Sequence, residues 1–187
     1  MGMCIQTNAD ADPVNCWVVM GVSGCGKSEI SSRLATRLGV AHVEGDDYHT
    51  AANVAKMSAG QPLDDEDRSA WLLALQSKIV ASRQSGESLV LSCSALKRRY
   101  RDLLRAGNPD LVFIFLAGER ELIASRMQAR PNHYFPLSLL DSQFRDLEIP
   151  DDDERVIRLD IRDAPDQLLA EILAAPVMSS LGRTHRC

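Results

Sequence analysis

Short apolar runs alternate with longer stretches in which apolar residues recur at helical spacing, from residue 16 to residue 174. The runs Cys16–Met20, Ala41–Glu44, Leu89–Cys93, Leu111–Leu116 and Arg155–Asp160 predict strands. Lys27–Leu38, Asp65–Arg83, Leu96–Arg105, Arg120–Arg130, Leu137–Leu147 and Ala164–Ala174 predict helices, with a shorter one over Ala51–Ser58. Strands separated throughout by helices mean an α/β fold, a parallel sheet with helices on both faces. No internal repeat, low-complexity tract or linker divides the 187 residues, so one domain is expected over 16–176. Residues 1–15 and 177–187 read as flexible tails.

Composition narrows the class. Hydrophobic residues make up 45% and charged residues 25%, as in ordinary globular proteins. No apolar stretch approaches the roughly 20 residues that cross a bilayer, and the polar N-terminus lacks the apolar core of a secretory signal. Gln6 stands where a myristoylation signal needs Ser or Thr. Five cysteines without metal-like spacing point to free thiols in a reducing, cytoplasmic setting. A net charge of −5 argues against a general nucleic-acid surface and leaves room for a local basic pocket.

The most specific chemistry lies at Gly21-Val22-Ser23-Gly24-Cys25-Gly26-Lys27-Ser28, which fits the phosphate-binding pattern GxxxxGK[ST] without a mismatch. The predicted strand before it and the helix after it are the context this pattern requires. Glycines let backbone N–H groups turn toward phosphate oxygens, and the positive helix end adds attraction. Lys27 is placed to reach the β- and γ-phosphates, and the Ser28 hydroxyl to ligate Mg²⁺. The chain therefore reads as a nucleoside-triphosphate binder.

Other residues divide into chemical and structural candidates. Glu44-Gly45-Asp46-Asp47-Tyr48-His49 follows the second strand, on the edge where α/β sheets bind ligands. One carboxylate there would hold metal-bound water, and another would accept a hydroxyl proton. Asp47 to Asp65 and Arg130 to Pro136 interrupt the alternation. In a phosphotransferase these are natural places for an acceptor-binding segment, about 46–68, and a mobile lid, about 126–137. Arg126 and Arg130 lie on one face of the helix before Pro131, matched to phosphate or carboxylate oxygens. Asp64 or Asp65 reads as a helix N-cap, whereas Arg68 opposes the helix dipole and needs either a nearby acid or an anionic ligand. Asp151–Glu154 reads as a solvated turn. Lys97 near a helix start is a candidate for an acceptor anion or the phosphates. The third strand ends in Ser92, Cys93 and Ser94 rather than an acid, against motor-type ATPases, and no DxxG or NKxD element of a GTPase occurs.

Taken together, these blocks resemble the gluconokinase family. The phosphate loop from Met20 to Ser28, the Glu44–His49 segment, Asn53–Met57, and Gly60–Arg68 followed by Trp71-Leu72 all carry the likeness. So do Cys93–Arg105, Arg126–Arg130, His133-Tyr134-Phe135 and Ser142-Gln143-Phe144, over about residues 16–174. The resemblance implies a five-stranded, three-layer P-loop kinase fold, related to shikimate and nucleoside-monophosphate kinases. It also implies ATP-dependent phosphorylation of D-gluconate to 6-phosphogluconate, with Mg²⁺ held through Ser28 and Glu44 and a homodimer as the assembly. By that likeness Asp46 binds the acceptor hydroxyl and acts as base, and Arg126 faces the phosphates. His49, Arg68, Lys97, Arg130, His133 and Gln143 are then the acceptor-binding candidates. Cys25 stands where a serine is common, and Glu44 where an aspartate is common. Same-fold kinases of other small acceptors, and an ATP-binding module without transfer activity, are the competing readings.

Overall fold

The computed structural model describes residues 14–129 and 137–179. Its strands are Cys16–Met20 (β1), Ala41–Glu44 (β2), Leu89–Ser92 (β3), Val112–Ala117 (β4) and Val156–Asp160 (β5). Its helices are Lys27–Leu38 (α1), Ala51–Ser58 (α2), Asp65–Ser85 (α3), Arg98–Gly107 (α4), Arg120–Gln128 (α5), Leu137–Asp146 (α6), Pro165–Ala174 (α7) and Pro176–Ser179 (α8). All strand pairs are parallel, in the order β2-β3-β1-β4-β5. The chain leaves β1 toward one edge, returns through β3, then crosses β1 to build the other half. Such a reversal beside the central strand opens a crevice at the carboxyl ends, where the loops after β1, β2 and β3 meet.

Alternation along each strand sends side chains to opposite faces. Trp17, Val19, Val90, Ile114, Leu116 and Leu159 share one core with Ile30 and Leu34 of α1, Ile123 of α5, Leu140 of α6, and Leu168 and Ile172 of α7. Cys16, Val18, Met20, Leu91, Phe113 and Phe115 share the other with Trp71, Leu75 and Ile79 of α3 and Leu104 of α4. Both faces are covered, which accounts for strands that read as unbroken apolar runs.

The predicted elements are all present, with shifts at their ends. Strand β3 stops at Ser92 and α4 starts at Arg98, because Ala95 adopts a left-handed backbone (φ 43°) and breaks the continuity expected from Leu96. Arg155 (φ 48°) likewise delays β5 to Val156. Asp64 caps α3 in a reciprocal box with Asp67, as its acids suggest, and α3 runs on to Ser85 before a left-handed Gly86. Beyond residue 176, where a tail was expected, α8 continues to Ser179, and Met178 Sδ accepts a hydrogen bond from Trp17 Nε1 at 2.9 Å.

The acidic run at 151–154 departs from the expected solvated turn. Glu154 turns inward and is 1% exposed, pairing with the equally buried Arg101 through two bonds of 2.6 and 2.8 Å. Arg101 also donates to the carbonyls of Ala95, Leu96 and Glu148, so this charge pair fixes the loop between β3 and α4. Burial pushes the Glu154 carboxyl upward, but the Arg101 hydrogen bond, the Asp151 N–H and the charges of Arg101 and Arg98 together hold it below its ordinary value. Asp151 and Asp153 stay exposed and pair with Arg98.

Candidate active site

The phosphate loop begins where β1 ends. Gly26 is the N-cap of α1 in a left-handed conformation (φ 102°), open to glycine with little strain. No side chain caps this helix, so its first N–H groups are left for an anion. Lys27 is 8% exposed and its Nζ donates to the Val22 carbonyl at 3.1 Å, folding the ammonium back over the loop. Gly21 N–H bonds Ser94 O at 3.3 Å, joining the loop to the end of β3.

A second wall comes from the end of β2. Gly45 packs so closely on β3 that a Cβ there would lie 2.1 Å from Ser92 O, and this contact fixes the short 3₁₀ turn that carries Asp46. Ser92 Oγ donates to the Glu44 carboxylate and accepts from Gly45 N–H at 3.3 Å. Trp71 Nε1 holds the Gly45 carbonyl at 2.7 Å, and the His49 ring stacks on Trp71 at 4.3 Å. Burial is the main cause that lowers the His49 pKa; Arg68 adds to it and Asp46, 3.9 Å away, opposes it. His49 is therefore a neutral ring at pH 7.

These walls enclose a cavity of about 600 Å³, counted to its mouth. Ser23, Lys27 and Ser94 line one side, Asp46, His49, Arg68 and Trp71 another, and Leu139, Ser142 and Gln143 of α6 a third. Polar and apolar surface meet there as they do in sites for small hydroxylated ligands. Arg68 is only 6% exposed, and its Nη1 lies 3.4 Å from the Asp146 carboxylate without forming a hydrogen bond. A buried guanidinium with unused donor capacity is costly in a pocket wall unless an anion completes it. Among the described residues its salt-bridge partner is Asp146 of α6 rather than any of the acids Asp64–Asp67 that precede it in the sequence.

Lys97 is placed differently. It bonds Asp65 at 3.0 Å and approaches Asp146 at 3.5 Å, behind the cavity rather than on its surface. Asp65 also receives Tyr100 and Arg99, and these hydrogen bonds, Tyr100 first and then Lys97, hold it far below the usual carboxylate range.

A separate cleft of about 790 Å³ lies on the far side of the loop, lined by Gly24, Gly26, Arg126, Ile161, Asp163 and Pro165 among others. Arg126 Nη2 donates to the Ile161 carbonyl at 2.9 Å. The guanidinium thus lines this cleft, not the cavity of Asp46 and Arg68. Ile161, Asp163 and Pro165 went unnoticed in the sequence because no motif marks them; the one available signal was their place directly after the strand beside β4. Of the remaining sequence candidates, Arg130 and His133 lie outside the described residues. Ser28 is exposed at the start of α1, and Glu44 is half-buried at the end of β2.

Cys25 in the phosphate loop and Cys93 just after β3 are both buried. Burial raises the Cys25 thiol despite the neighbouring Lys27, and pushes Cys93 up to about 12. Both are packing groups in the protonated form at neutral pH.

A phosphate loop at a sheet crevice, with a mixed polar and apolar cavity on one side and a cleft on the other, defines a P-loop small-molecule phosphotransferase. The AAA domain family matches residues 16–150. The thermoresistant gluconokinase of Escherichia coli K12 is 43% identical over 86% of this chain and 90% of its own. The gluconokinase of Gluconobacter oxydans 621H is 46% identical over 83% and 88%. A solved gluconokinase structure from Sinorhizobium meliloti 1021 superposes with a TM-score of 0.81 at 40% identity, covering 91% of this chain and 94% of that one. This chain belongs to the gluconokinase family.

Proposed function

We propose that this protein transfers the terminal phosphoryl group of ATP to D-gluconate, giving 6-phospho-D-gluconate. The single observation that carries the reading is one cavity in which Lys27 of the phosphate loop, the carboxylate of Asp46 and the unspent guanidinium of Arg68 face a common space. Gluconate is a flexible polyol with one carboxylate, so it needs one cation and several hydrogen-bonding groups, and this wall supplies both. Arg68 holds the carboxylate. Asp46 takes the proton of the primary hydroxyl as transfer proceeds, and His49, Ser94 and Gln143 offer polar contacts to the chain of hydroxyls.

The triphosphate lies along the loop amides and the uncapped start of α1, with its base and ribose in the cleft beside Arg126, Ile161 and Pro165. Lys27 leaves the Val22 carbonyl to neutralise charge on the moving group, which is most of what phosphoryl transfer asks of a protein. Arg126 presents a planar cation suited to stack on the base or pair with the α-phosphate side. Mg²⁺ belongs to the same proposal. The Ser28 hydroxyl at the start of α1 and the Glu44 carboxylate at the end of β2 are hard oxygen donors, the chemistry this ion takes. Held there, the ion would supply charge stabilisation to the phosphates; Ser92 keeps the Glu44 carboxylate oriented.

A homodimer and a cytoplasmic setting complete the proposal. The free thiols of Cys16, Cys25 and Cys93 fit a reducing compartment, and no helix among the described residues is long and apolar enough to cross a membrane. A coupled assay of ADP release tests the reaction, with gluconate, shikimate and AMP offered in parallel. Turnover with gluconate alone is the expected result. Turnover with another acceptor only, or ATP binding without any 6-phosphogluconate, would replace it.

A further inference from the structure

Gln143 makes a contact that a substrate-binding side chain does not need. Its Oε1 accepts from the Ser23 backbone N–H at 2.6 Å, and its Nε2 donates to Ser23 Oγ at 2.9 Å. The orientation of the carboxamide is unambiguous, because a backbone N–H can only donate and must face the oxygen. Ser23 sits at the crest of the phosphate loop and lines the acceptor cavity together with Lys27. A phosphate oxygen and the Gln143 carboxamide oxygen thus compete for one N–H. The ammonium of Lys27 is engaged in a similar way on the Val22 carbonyl, one residue earlier. The crest is held by the protein's own groups where a terminal phosphate would otherwise be.

Gln143 is also firmly anchored. Leu140 of the same helix shares a core with Ile123 and Met127 of α5, and Asp141 accepts a bond from Arg120 Nε of α5 at 2.5 Å. Helix α6 therefore cannot retreat freely when the pair breaks, and the released carboxamide remains at the cavity wall. We propose that Gln143 is a positioning residue that latches the loop crest in the nucleotide-free enzyme. The terminal phosphate displaces it from Ser23 and turns its carboxamide onto the acceptor hydroxyls. Nucleotide binding then strengthens acceptor binding, and water meets an incomplete site until both ligands are present. This inference rests on the acceptor cavity assigned above for its second half only.

The test measures two affinities by calorimetry. A non-hydrolysable ATP analogue with magnesium is titrated into wild type and Gln143→Ala, and gluconate is titrated into each with and without that analogue. Wild type should bind gluconate at least about fivefold more tightly with the analogue present, within the usual range of coupling between sites. Gln143→Ala should bind the analogue about three- to tenfold more tightly than wild type, the worth of one displaced hydrogen bond. Its gluconate affinity should no longer respond to the analogue. A merely structural role would weaken nucleotide binding, never strengthen it. Should Gln143→Ala fail to fold, Gln143→Glu carries the test, because its carboxylate holds the Ser23 N–H more tightly and repels phosphate; it should bind the analogue more than about tenfold more weakly. Unchanged analogue affinity in the variant tested, or intact coupling in Gln143→Ala, overturns the latch. The nucleotide arm contains no acceptor, so failure of gluconate as substrate leaves its result standing.

Discussion

Replacing Arg68 with Gln gives the sharpest test of how the acceptor is recognised. The guanidinium is almost fully buried, lines the cavity, and leaves Nη1 without a hydrogen bond beside Asp146. Asp146 would keep Lys97 at 3.5 Å after the change, so no carboxylate is stranded and folding should be little affected. On the proposed assignment, the loss is a charge-assisted hydrogen bond to the acceptor carboxylate, worth about 1.5–3 kcal/mol. At about 1.4 kcal/mol per decade, the gluconate KM should rise by about 10- to 150-fold, with the ATP KM within about twofold of wild type. Steady-state ADP release with varied gluconate measures this directly. Glucitol, the same carbon skeleton without the carboxylate, supplies the control, since wild type and variant should phosphorylate it with equally low efficiency. An unchanged gluconate KM refutes the assignment, and so does an equal loss with glucitol, which would mean that Arg68 only shapes the wall.

Other consequences concern the base, the buried pair and the histidine. Asp46→Asn should bind the ATP analogue normally while kcat falls about 10²- to 10⁴-fold, and an unchanged kcat would remove it as base. Glu154→Leu leaves the buried Arg101 without its counter-charge and should cost about 3–5 kcal/mol in urea unfolding. Adding Arg101→Met should recover only part, since Arg101 also holds the Ala95, Leu96 and Glu148 carbonyls; full additivity of the two losses would refute the pairing energy. His49 has a folded pKa below its unfolded value near 6.5, so the unfolded chain binds the extra proton and stability falls as the pH drops from about 6.5 toward that lower value. His49→Gln should remove this slope, while the same slope in the variant would place its origin elsewhere.

Much of the site was legible because its signals are local. The loop from Gly21 to Ser28 carries its own glycines, lysine and hydroxyl, and its spacing between a strand and a helix is local too. The place of Glu44–His49 after the second strand marked them as candidates without saying which carboxylate acts, and the acidic first turn marked Asp64 or Asp65 as the cap that Asp64 supplies. The role of each cation was not legible in the same way. Arg68 and Lys97 both looked suited to an anion, yet one lines the cavity and the other is bound by Asp65 and Asp146. Glu154 belonged to what read as a solvated turn, and its burial depends on Arg101, far away in the chain. Arg126 read as facing the phosphates, but its anchor, a carbonyl of the loop after β5, had no signal in the sequence.

By itself the amino-acid order determined the alternating strands and helices, the helix caps and the phosphate loop, because each depends on backbone preferences within a few residues. Tertiary structure decided which charges are buried, which face the cavity, and that Gln143 reaches Ser23. Those outcomes rest on the cost of removing a charge or a polar group from water, and that cost is met only by partners that folding brings from distant parts of the chain.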